Sequence, residues 1–346
     1  MRTRGLAAAM LLLATAWVAD AATLSVESNG TDSPTCGIAA PCRSIGRAVA
    51  HALPNDRIVV GPGSYGSDLD QDGVVNEPGE EPLSGAGGII VDQPLEIVSR
   101  LGASSTVLRT SAIGFDVRSS NVTIGRRNHG FTLASTSLPF AVAGAGLLDG
   151  VRIAGNVLAL DGPDAPAGIL AIGTRGARFE DNRIDAPRGC GVGIYLQDSG
   201  GVVANNAIFG CSKGVQVELG VSMRLVHNTV AGNVRSGAAG KGAGFDLQGD
   251  IAEVSGNVVL GNGTGVIVRT TPIASFRNNA FIASTTNCGV QNLSDGTLVA
   301  AGNYWGAASG PGADPADAAC GIAAATSVVT TPFLGSDPTQ AQVALR

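Results

Sequence analysis

The middle of the chain is built from a repeated unit, and this repeat restricts the fold more than any other feature of the sequence. A glycine followed by alternating, mostly apolar positions recurs at steps of 21, 30, 21 and 24 residues. An asparagine followed by a short apolar run recurs at steps of 26, 24, 22, 29, 22 and 24 residues. The two series alternate, so each period contains at least two short strands. The glycine units begin at Gly193, Gly214, Gly244, Gly265 and Gly289, and the asparagine units at Asn156, Asn182, Asn206, Asn228, Asn257, Asn279 and Asn303.

A period of this length occurs in leucine-rich repeats and in parallel β-helices. The leucine-rich frame is not visible in the sequence, whereas short β-branched strands bounded by glycine and asparagine fit the coils of a β-helix. Glycine and asparagine both tolerate the left-handed backbone of a sharp corner. An asparagine at the same position of successive coils can also bond to the coils above and below. The sequence therefore predicts an all-β fold, a single parallel β-helix of roughly nine or ten coils over residues 22–335, with loops at 135–148 and 159–168 and a tail at 336–346.

The N-terminus predicts export from the cytoplasm. Arg2 and Arg4 precede an apolar stretch, and Ala19-Asp20-Ala21 has the small-x-small pattern of a signal-peptidase site. The apolar stretch is short for a membrane span. We therefore expect residues 1–21 to be removed as a signal peptide. The mature protein is expected to have no transmembrane segment and to be secreted or periplasmic.

Six cysteines remain after this cleavage. An even number in an exported chain predicts disulfides, and six cysteines allow fifteen pairings. A zinc site is the alternative, but there is no C-x-x-C pair and the three histidines are scattered. Proximity in the sequence favours the pairs Cys36–Cys42, Cys190–Cys211 and Cys288–Cys320, of which the second joins residues one coil apart.

Both ends of the repeat carry segments that suit the caps of a solenoid. Apolar residues at helical spacing predict a short amphipathic helix over residues 43–53, followed by a strand over 57–60. Residues 36–66 resemble the N-terminal cap of secreted right-handed parallel β-helix proteins of the pectate-lyase-like superfamily, and residues 303–312, NYWGAASGPG, are similar to a closing motif of the same group. The resemblance implies a right-handed helix. It implies chemistry only weakly, because the group contains lyases, polygalacturonases and non-catalytic surface proteins.

An acidic insertion at 64–86 contains the sequence DLDQDGVVNEPGE. Alternate carboxylates followed by glycine match the start of a calcium-binding loop, in which oxygen ligands converge on a hard cation. Position 12 of the loop is Gly79 instead of an acid, so Glu77 or Glu80 must close the site. The alternative is a solvated acidic loop. We expect calcium in a structural role, with ligands from Asp68, Asp70, Asp72, Val74, Asn76 and Glu80.

The glycine-containing strands predict the candidate binding surface. Because side chains alternate along a strand, Ile194, Leu196 and their equivalents in later coils point inward. The outward residues form a polar strand face that suits sugar hydroxyls, and the resemblance also implies polysaccharide along such a sheet. A merely hydrated outer face is the alternative. The predicted ligand-binding residues are Tyr195, Gln197, Gln216, Gln248 and Arg269, and the carboxylates Glu218 and Asp246 on adjacent coils are the candidate catalytic pair.

Two functions follow from this surface. The first is an exported, non-catalytic surface or carbohydrate-binding module that is stabilised by calcium. The second is a polysaccharide-active enzyme, either a glycoside hydrolase with Glu218 and Asp246 as its two carboxylates or a lyase. Whether the protein is an enzyme stays open at this point, and we favour the first function narrowly. The net charge of −6 and the absence of a basic run argue against a nucleic-acid partner.

Overall fold

The computed structural model describes residues 21–340 except 32–33, 68, 70–71, 73–79, 82–87, 111–112, 136, 161, 163–164, 235–241 and 322–326. Within this part the chain winds into a parallel β-solenoid of about nine turns. Each central turn contributes one strand to each of three parallel sheets, which we call the first, second and third sheets in the order in which the chain visits them within a turn. The prediction of a parallel β-helix is confirmed.

The first and second sheets are continuous with each other through two long strands, Lys213–Val226 and Ala243–Ser255, which contribute to both. The first sheet also contains Ile89–Val91, Ile113–Val117, Leu138–Val142, Ala167–Ile172, Val192–Gln197, Thr264–Val268, Cys288–Asn292 and Ala318–Gly321. The second also contains Thr23–Val26, Arg57–Val60, Glu96–Ser99, Thr123–Ile124, Arg152–Ala154, Ala177–Glu180, Gly201–Ala204 and Phe276–Arg277.

The third sheet and two short pairs complete the solenoid. The predicted loop at 135–148 is wrong in part, because Leu138–Val142 pairs on both sides within the first sheet. The third sheet contains Gly63–Gly66, Thr106–Thr110, Thr132–Ser135, Val157–Leu160, Arg183–Asp185, Ala207–Phe209, Thr229–Ala231, Val258–Leu260 and Ala280–Ile282, and the pairs are Leu148–Asp149 with Thr174–Arg175 and Leu298–Val299 with Val328–Val329.

The core lies inside the coils and is formed by stacked apolar side chains. Residues that share a register position in successive strands lie directly above one another, so that each inward side chain packs on its equivalents in the neighbouring coils. Aromatic rings extend the stack, as where Phe115 and Phe140 lie nearly parallel with centroids 5.6 Å apart. The eight predicted inward residues, Ile194, Leu196, Val215, Val217, Phe245, Leu247, Val266 and Val268, are all fully buried.

A buried asparagine ladder fixes the corner between the second and third sheets. All seven predicted asparagines are at most 1% exposed. The Oδ1 atom of Asn228, for example, accepts hydrogen bonds from the backbone N and Nδ2 of Asn206, both at 3.0 Å. The residue before each ladder asparagine has a positive φ, for example 57° at His227, and this explains why the corner selects glycine, asparagine, aspartate and histidine. The ladder satisfies polar groups that the corner would otherwise leave buried without partners.

A second, shorter ladder lies at the corner between the third and first sheets. The Oδ1 of Asn233 accepts from the backbone N of Cys211, and the Oδ1 of Asn262 accepts from the backbone N and Nδ2 of Asn233. The disulfide Cys190–Cys211 joins successive coils at this corner, with Cα atoms 4.4 Å apart. The three predicted disulfides are all present.

A short helix, Ile45–His51, covers the N-terminal end of the solenoid and agrees with the prediction for 43–53. Its buried face consists of Ile45, Ala48 and Val49. The Ser44 hydroxyl accepts from the Arg47 N–H, and the buried Glu81 carboxylate accepts from the N–H groups of the first two helical residues at 2.6 and 2.8 Å. A carboxylate at this position also interacts favourably with the helix dipole.

The C-terminal end is closed by the segment that the sequence singled out. Asn303 is the last member of the ladder and receives both bonds from Asn279. Two residues later, Trp305 is fully buried, and its ring lies 5.1 Å from that of Phe281. The ring of Trp305 thus packs on Phe281, in the last strand of the third sheet.

Candidate functional site

The outward side of the first sheet carries one column of paired residues across five successive strands. Tyr195 lies opposite Gln216, Gln216 opposite Asp246, Asp246 opposite Ile267, and Ile267 opposite Gln291. Since neighbouring parallel strands are about 4.8 Å apart, these side chains form a closely spaced column of mixed polar and apolar character. The sequence predicted Tyr195, Gln216 and Asp246 as outward residues of successive coils, and the structure places them in this order.

Hydrogen bonds join this column to the neighbouring one. The Tyr195 hydroxyl donates to Glu218 Oε2 at 2.6 Å, and Gln216 Nε2 donates to Glu218 Oε1 at 2.5 Å. Lys213 Nζ donates to Gln216 Oε1 at 3.0 Å and lies 2.7 Å from Asp246 Oδ2. One continuous set of contacts therefore runs from Tyr195 to Asp246 across three coils. Lys213 is not among the predicted site residues, because it begins its strand three positions before Gln216 and only its long side chain reaches the column.

Asp246 is the most strongly held of these groups. Its side chain is almost completely buried, and the Arg269 guanidinium covers it through two hydrogen bonds of 2.6 and 3.0 Å. Burial alone would raise the pKa of Asp246, but the hydrogen bonds and charges of Arg269 and Lys213 outweigh it and lower the pKa below its usual value. Asp246 is therefore an ionised, paired carboxylate at neutral pH.

Tyr195 is fixed as a hydrogen-bond donor. Desolvation and its hydrogen bond to the Glu218 carboxylate raise the pKa of Tyr195 to about 12. The phenol consequently keeps its proton at neutral pH and does not act as a base there. Its hydroxyl orients Glu218, and its ring stays partly exposed on the strand face.

A shallow depression of about 470 Å³ lies beside this set of contacts. Its lining is mostly charged and polar, with Val192 and Ile267 as the larger apolar side chains, so it differs from a closed apolar cavity. Gln197 lies opposite Glu218 in the register, and Gln248 is exposed on the next strand. The charged and polar side chains of the depression are Lys213, Gln216, Asp246, Arg269, Gln291, Ser212 and Thr264.

Asp246 does not suit the role of a general acid at neutral pH. A general acid at neutral pH needs a raised pKa, whereas the pKa of Asp246 is lowered by two cations. The site contains two carboxylates, Glu218 and Asp246, and two cations, Lys213 and Arg269, so its charges balance. Such fixed donors and acceptors can hold neutral hydroxyl groups in defined directions.

The predicted calcium loop is only partly within the described residues. Asp68, Asp70, Val74 and Asn76 lie outside them. Glu80 is buried and accepts a hydrogen bond of 2.5 Å from the Leu69 N–H. Asp72 is exposed. Among the described residues there is no group of three or more histidine, cysteine, aspartate or glutamate side chains that could hold a metal ion.

The three parallel sheets and the asparagine ladder are those of a parallel β-helix protein, and a family comparison of the sequence agrees. Residues 104–281 match the family described as "Right handed beta helix region". This match covers half of the chain, and the protein belongs to this family.

The fold is similar to that in the crystal structure of pectate lyase Pel9A, with a TM-score of 0.44 and 13% sequence identity over 91% of this chain and 78% of that chain. A search of curated proteins found no match.

The compartment follows from the disulfides. Three disulfides are typical of proteins from oxidising environments outside the cytoplasm. No helix among the described residues is long and apolar enough to cross a membrane. The predicted signal peptide falls within residues 1–21, and all but the last of these lie outside the described part.

Proposed function

We propose that the protein is an exported, non-catalytic carbohydrate-binding β-helix that uses the outer face of the first sheet. The observation that carries this proposal is the linked set Tyr195, Glu218, Gln216, Lys213 and Asp246 beside an open depression of about 470 Å³. The groups are held by one another, so little side-chain entropy is lost when a ligand binds. The balanced charge favours a neutral glycan.

We further propose that the loop at 68–80 binds a structural calcium ion. The sequence D-x-D-x-D-G supports this, because three alternate carboxylates supply oxygen ligands of the type that calcium prefers. The segment after the loop supports it as well, since Glu81 holds the first turn of the N-terminal helix. Order in the loop would therefore be transmitted to the cap.

An array of neutral and acidic oligosaccharides tests the carbohydrate proposal. The expected result is binding of a neutral glycan that the double variant Gln216→Ala/Gln291→Ala weakens at least about tenfold, because amides that contact the ligand are removed. The matched control is Gln340→Ala, which removes an exposed amide near the C-terminus. Failure to bind any neutral glycan would contradict the proposal.

Each glycan that binds is then incubated with the protein and assayed for new reducing ends and for unsaturated products at about 235 nm, the absorbance expected of a β-elimination product. Binding without product supports a recognition module. Product formation that Glu218→Gln and Asp246→Asn abolish would establish the polysaccharide-active enzyme instead. The pair of assays therefore separates the two functions on the same surface.

A further inference from the structure

The outward face of the second sheet carries a line of arginines that is not evident in the sequence. Successive members of this line are 26 to 69 positions apart in the sequence, and no basic run contains them. Closure of the coils brings them together, since Arg152 lies directly opposite Arg178 in the register, and Arg178 and Arg224 both lie opposite Val202. The line consists of Arg57, Arg152, Arg178, Arg224 and Arg277 on strands of this sheet, together with Arg126, which lies two residues after the strand Thr123–Ile124 and pairs with Glu96.

Two glutamates on this face are each shared by two arginines. Glu96 forms ion pairs with Arg57 at 3.5 Å and with Arg126. Glu180 forms ion pairs with Arg152 at 2.6 Å and with Arg178 at 2.8 Å. Burial opposes ionisation of Glu180, but its two arginine partners keep its pKa below the usual value. Each of these clusters therefore carries one excess positive charge.

The third carboxylate repeats the pattern at the other end of the line. Glu253 forms an ion pair with Arg224 at 2.6 Å. A hydrogen bond from Ser255 and the charges of Arg224 and Arg277 lower the pKa of Glu253. The three clusters thus contain six arginines and three glutamates, an excess of three positive charges within the clusters, on a chain whose net charge is −6.

The arginines remain accessible although they are paired. The side chains of Arg57, Arg126, Arg178 and Arg224 are about half exposed. A guanidinium has five N–H donors in a planar fork, and a shared carboxylate uses only some of them. The outer edges of these guanidiniums can therefore contact a second oxyanion from solvent.

The spacing of the line indicates the shape of its ligand. Arg57 and Arg277 lie on the second and the last strands of the sheet, and successive arginines are one or two strands apart. With about 4.8 Å between strands, the line is roughly 40 Å long and presents a cation about every 5 or 10 Å. We propose that this face binds a linear acidic polysaccharide, one that carries a carboxylate or sulfate on every sugar or on every second sugar.

Two observations favour an acidic polysaccharide over a nucleic acid. Among the outward residues that the structure describes on this face none is aromatic, so stacking platforms for bases are lacking. The three disulfides also point to a compartment outside the cytoplasm. This proposal concerns a different sheet from the neutral glycan site, so either can fail without the other.

Binding to polygalacturonate and to dextran sulfate, measured by titration over a range of salt concentrations, tests the proposal. The two polymers distinguish carboxylate from sulfate, and unsulfated dextran and an oligodeoxynucleotide of matched charge are the comparisons. The double variant Arg178→Gln/Arg224→Gln is expected to bind the preferred polymer about tenfold or more weakly, with a shallower salt dependence, because fewer counterions are released.

The matched control is Arg109→Gln/Arg183→Gln, which removes the same charge from exposed positions of the third sheet and is expected to bind like the wild type. Glu253→Gln is expected to bind more tightly, because it removes a competing carboxylate from the line; this gain does not depend on the folding of the arginine variants. Equal losses in both arginine variants, equal affinity for the oligodeoxynucleotide, or no binding to either acidic polymer at low salt would overturn the proposal.

Discussion

Asn206 Oδ1 accepts two hydrogen bonds from Asn182, the equivalent asparagine one coil earlier, at 3.0 Å from the backbone N and 3.1 Å from Nδ2. The same two-bond contact recurs between successive ladder asparagines up to Asn303. One amide oxygen thus satisfies a main-chain donor and a side-chain donor of its neighbour. The corner between the second and third sheets therefore depends on a chain of polar contacts beside a largely apolar core.

Replacement of a central ladder residue is expected to destabilise the protein strongly. Asn206→Ala leaves both donors of Asn182 without their acceptor and also removes the bond from Asn206 Nδ2 to the Phe179 carbonyl. Because a buried unsatisfied polar group costs about 1–3 kcal/mol, the free energy of unfolding in urea should fall by about 3 kcal/mol or more. Asn29→Ala, at an exposed position, is the control and should change it by less than about 0.5 kcal/mol. Similar values for the two variants would show that the ladder contributes little.

The disulfide between coils is expected to contribute more than the one within the N-terminal cap. Cys190 and Cys211 are separated by 21 residues, whereas Cys36 and Cys42 are separated by 6. In the chain-entropy description the longer loop corresponds to about 3 kcal/mol and the shorter to about 2 kcal/mol. Paired serine substitutions, compared by guanidinium unfolding, measure both contributions. A larger loss from the Cys36–Cys42 variant would contradict this ranking.

The ion pairs of Asp246 predict how stability depends on pH. The folded pKa of Asp246 is lowered relative to the unfolded value of about 3.9. Its contribution is therefore fully present above about pH 4 and is lost as the pH falls through the lower, folded pKa. Asp246→Asn should lose about 1–3 kcal/mol at pH 7 and show a smaller further loss on acidification than the wild type. Asp185→Asn, at a partly exposed ion pair, is the control. Parallel pH profiles for the wild type and Asp246→Asn would argue against this role.

The calcium proposal predicts a metal-dependent melting temperature. Addition of calcium should raise the melting temperature, because an ion that binds only the folded state stabilises it by mass action. Asp70→Asn and Asp72→Asn should each remove most of this increase. Asp295→Asn, an exposed aspartate outside the loop, should leave it intact. An unchanged melting temperature for the wild type in millimolar calcium would disprove a stabilising site.

The fold was predictable from the sequence because each position of the repeat requires a particular residue type: apolar residues inside the strands, and glycine or asparagine at the corners. The inward position of Phe245, the ladder position of Asn257 and the cap around Ile45 could all be read from spacing. The outer surface was less predictable. The order of Tyr195, Gln216 and Asp246 followed from strand alternation, but the near-complete burial of Asp246 did not, since it results from Arg269 lying across it from the next coil.

The arginine line was even less predictable from the sequence than the first-sheet site. Arg152 and Arg178 are 26 residues apart and become neighbours only when the register of the second sheet is known. The second ladder, from Asn233 to Asn262, was also missed, because only two asparagines occupy that corner and the spacing alone does not distinguish them from turn residues. Contacts between coils depend on register, which a repeat of variable length defines only approximately.

The ladder also determines which changes in length the molecule can accept. Successive ladder asparagines are 22 to 29 residues apart, yet each makes the same contacts with its neighbour. Extra residues are therefore accommodated at the other corners, and the cross-section at the ladder stays constant. Duplication or loss of one whole coil would preserve every contact except those at the junction. In evolution, a binding face on such a scaffold can lengthen by single-coil steps, which would match it to longer polymers without a new fold.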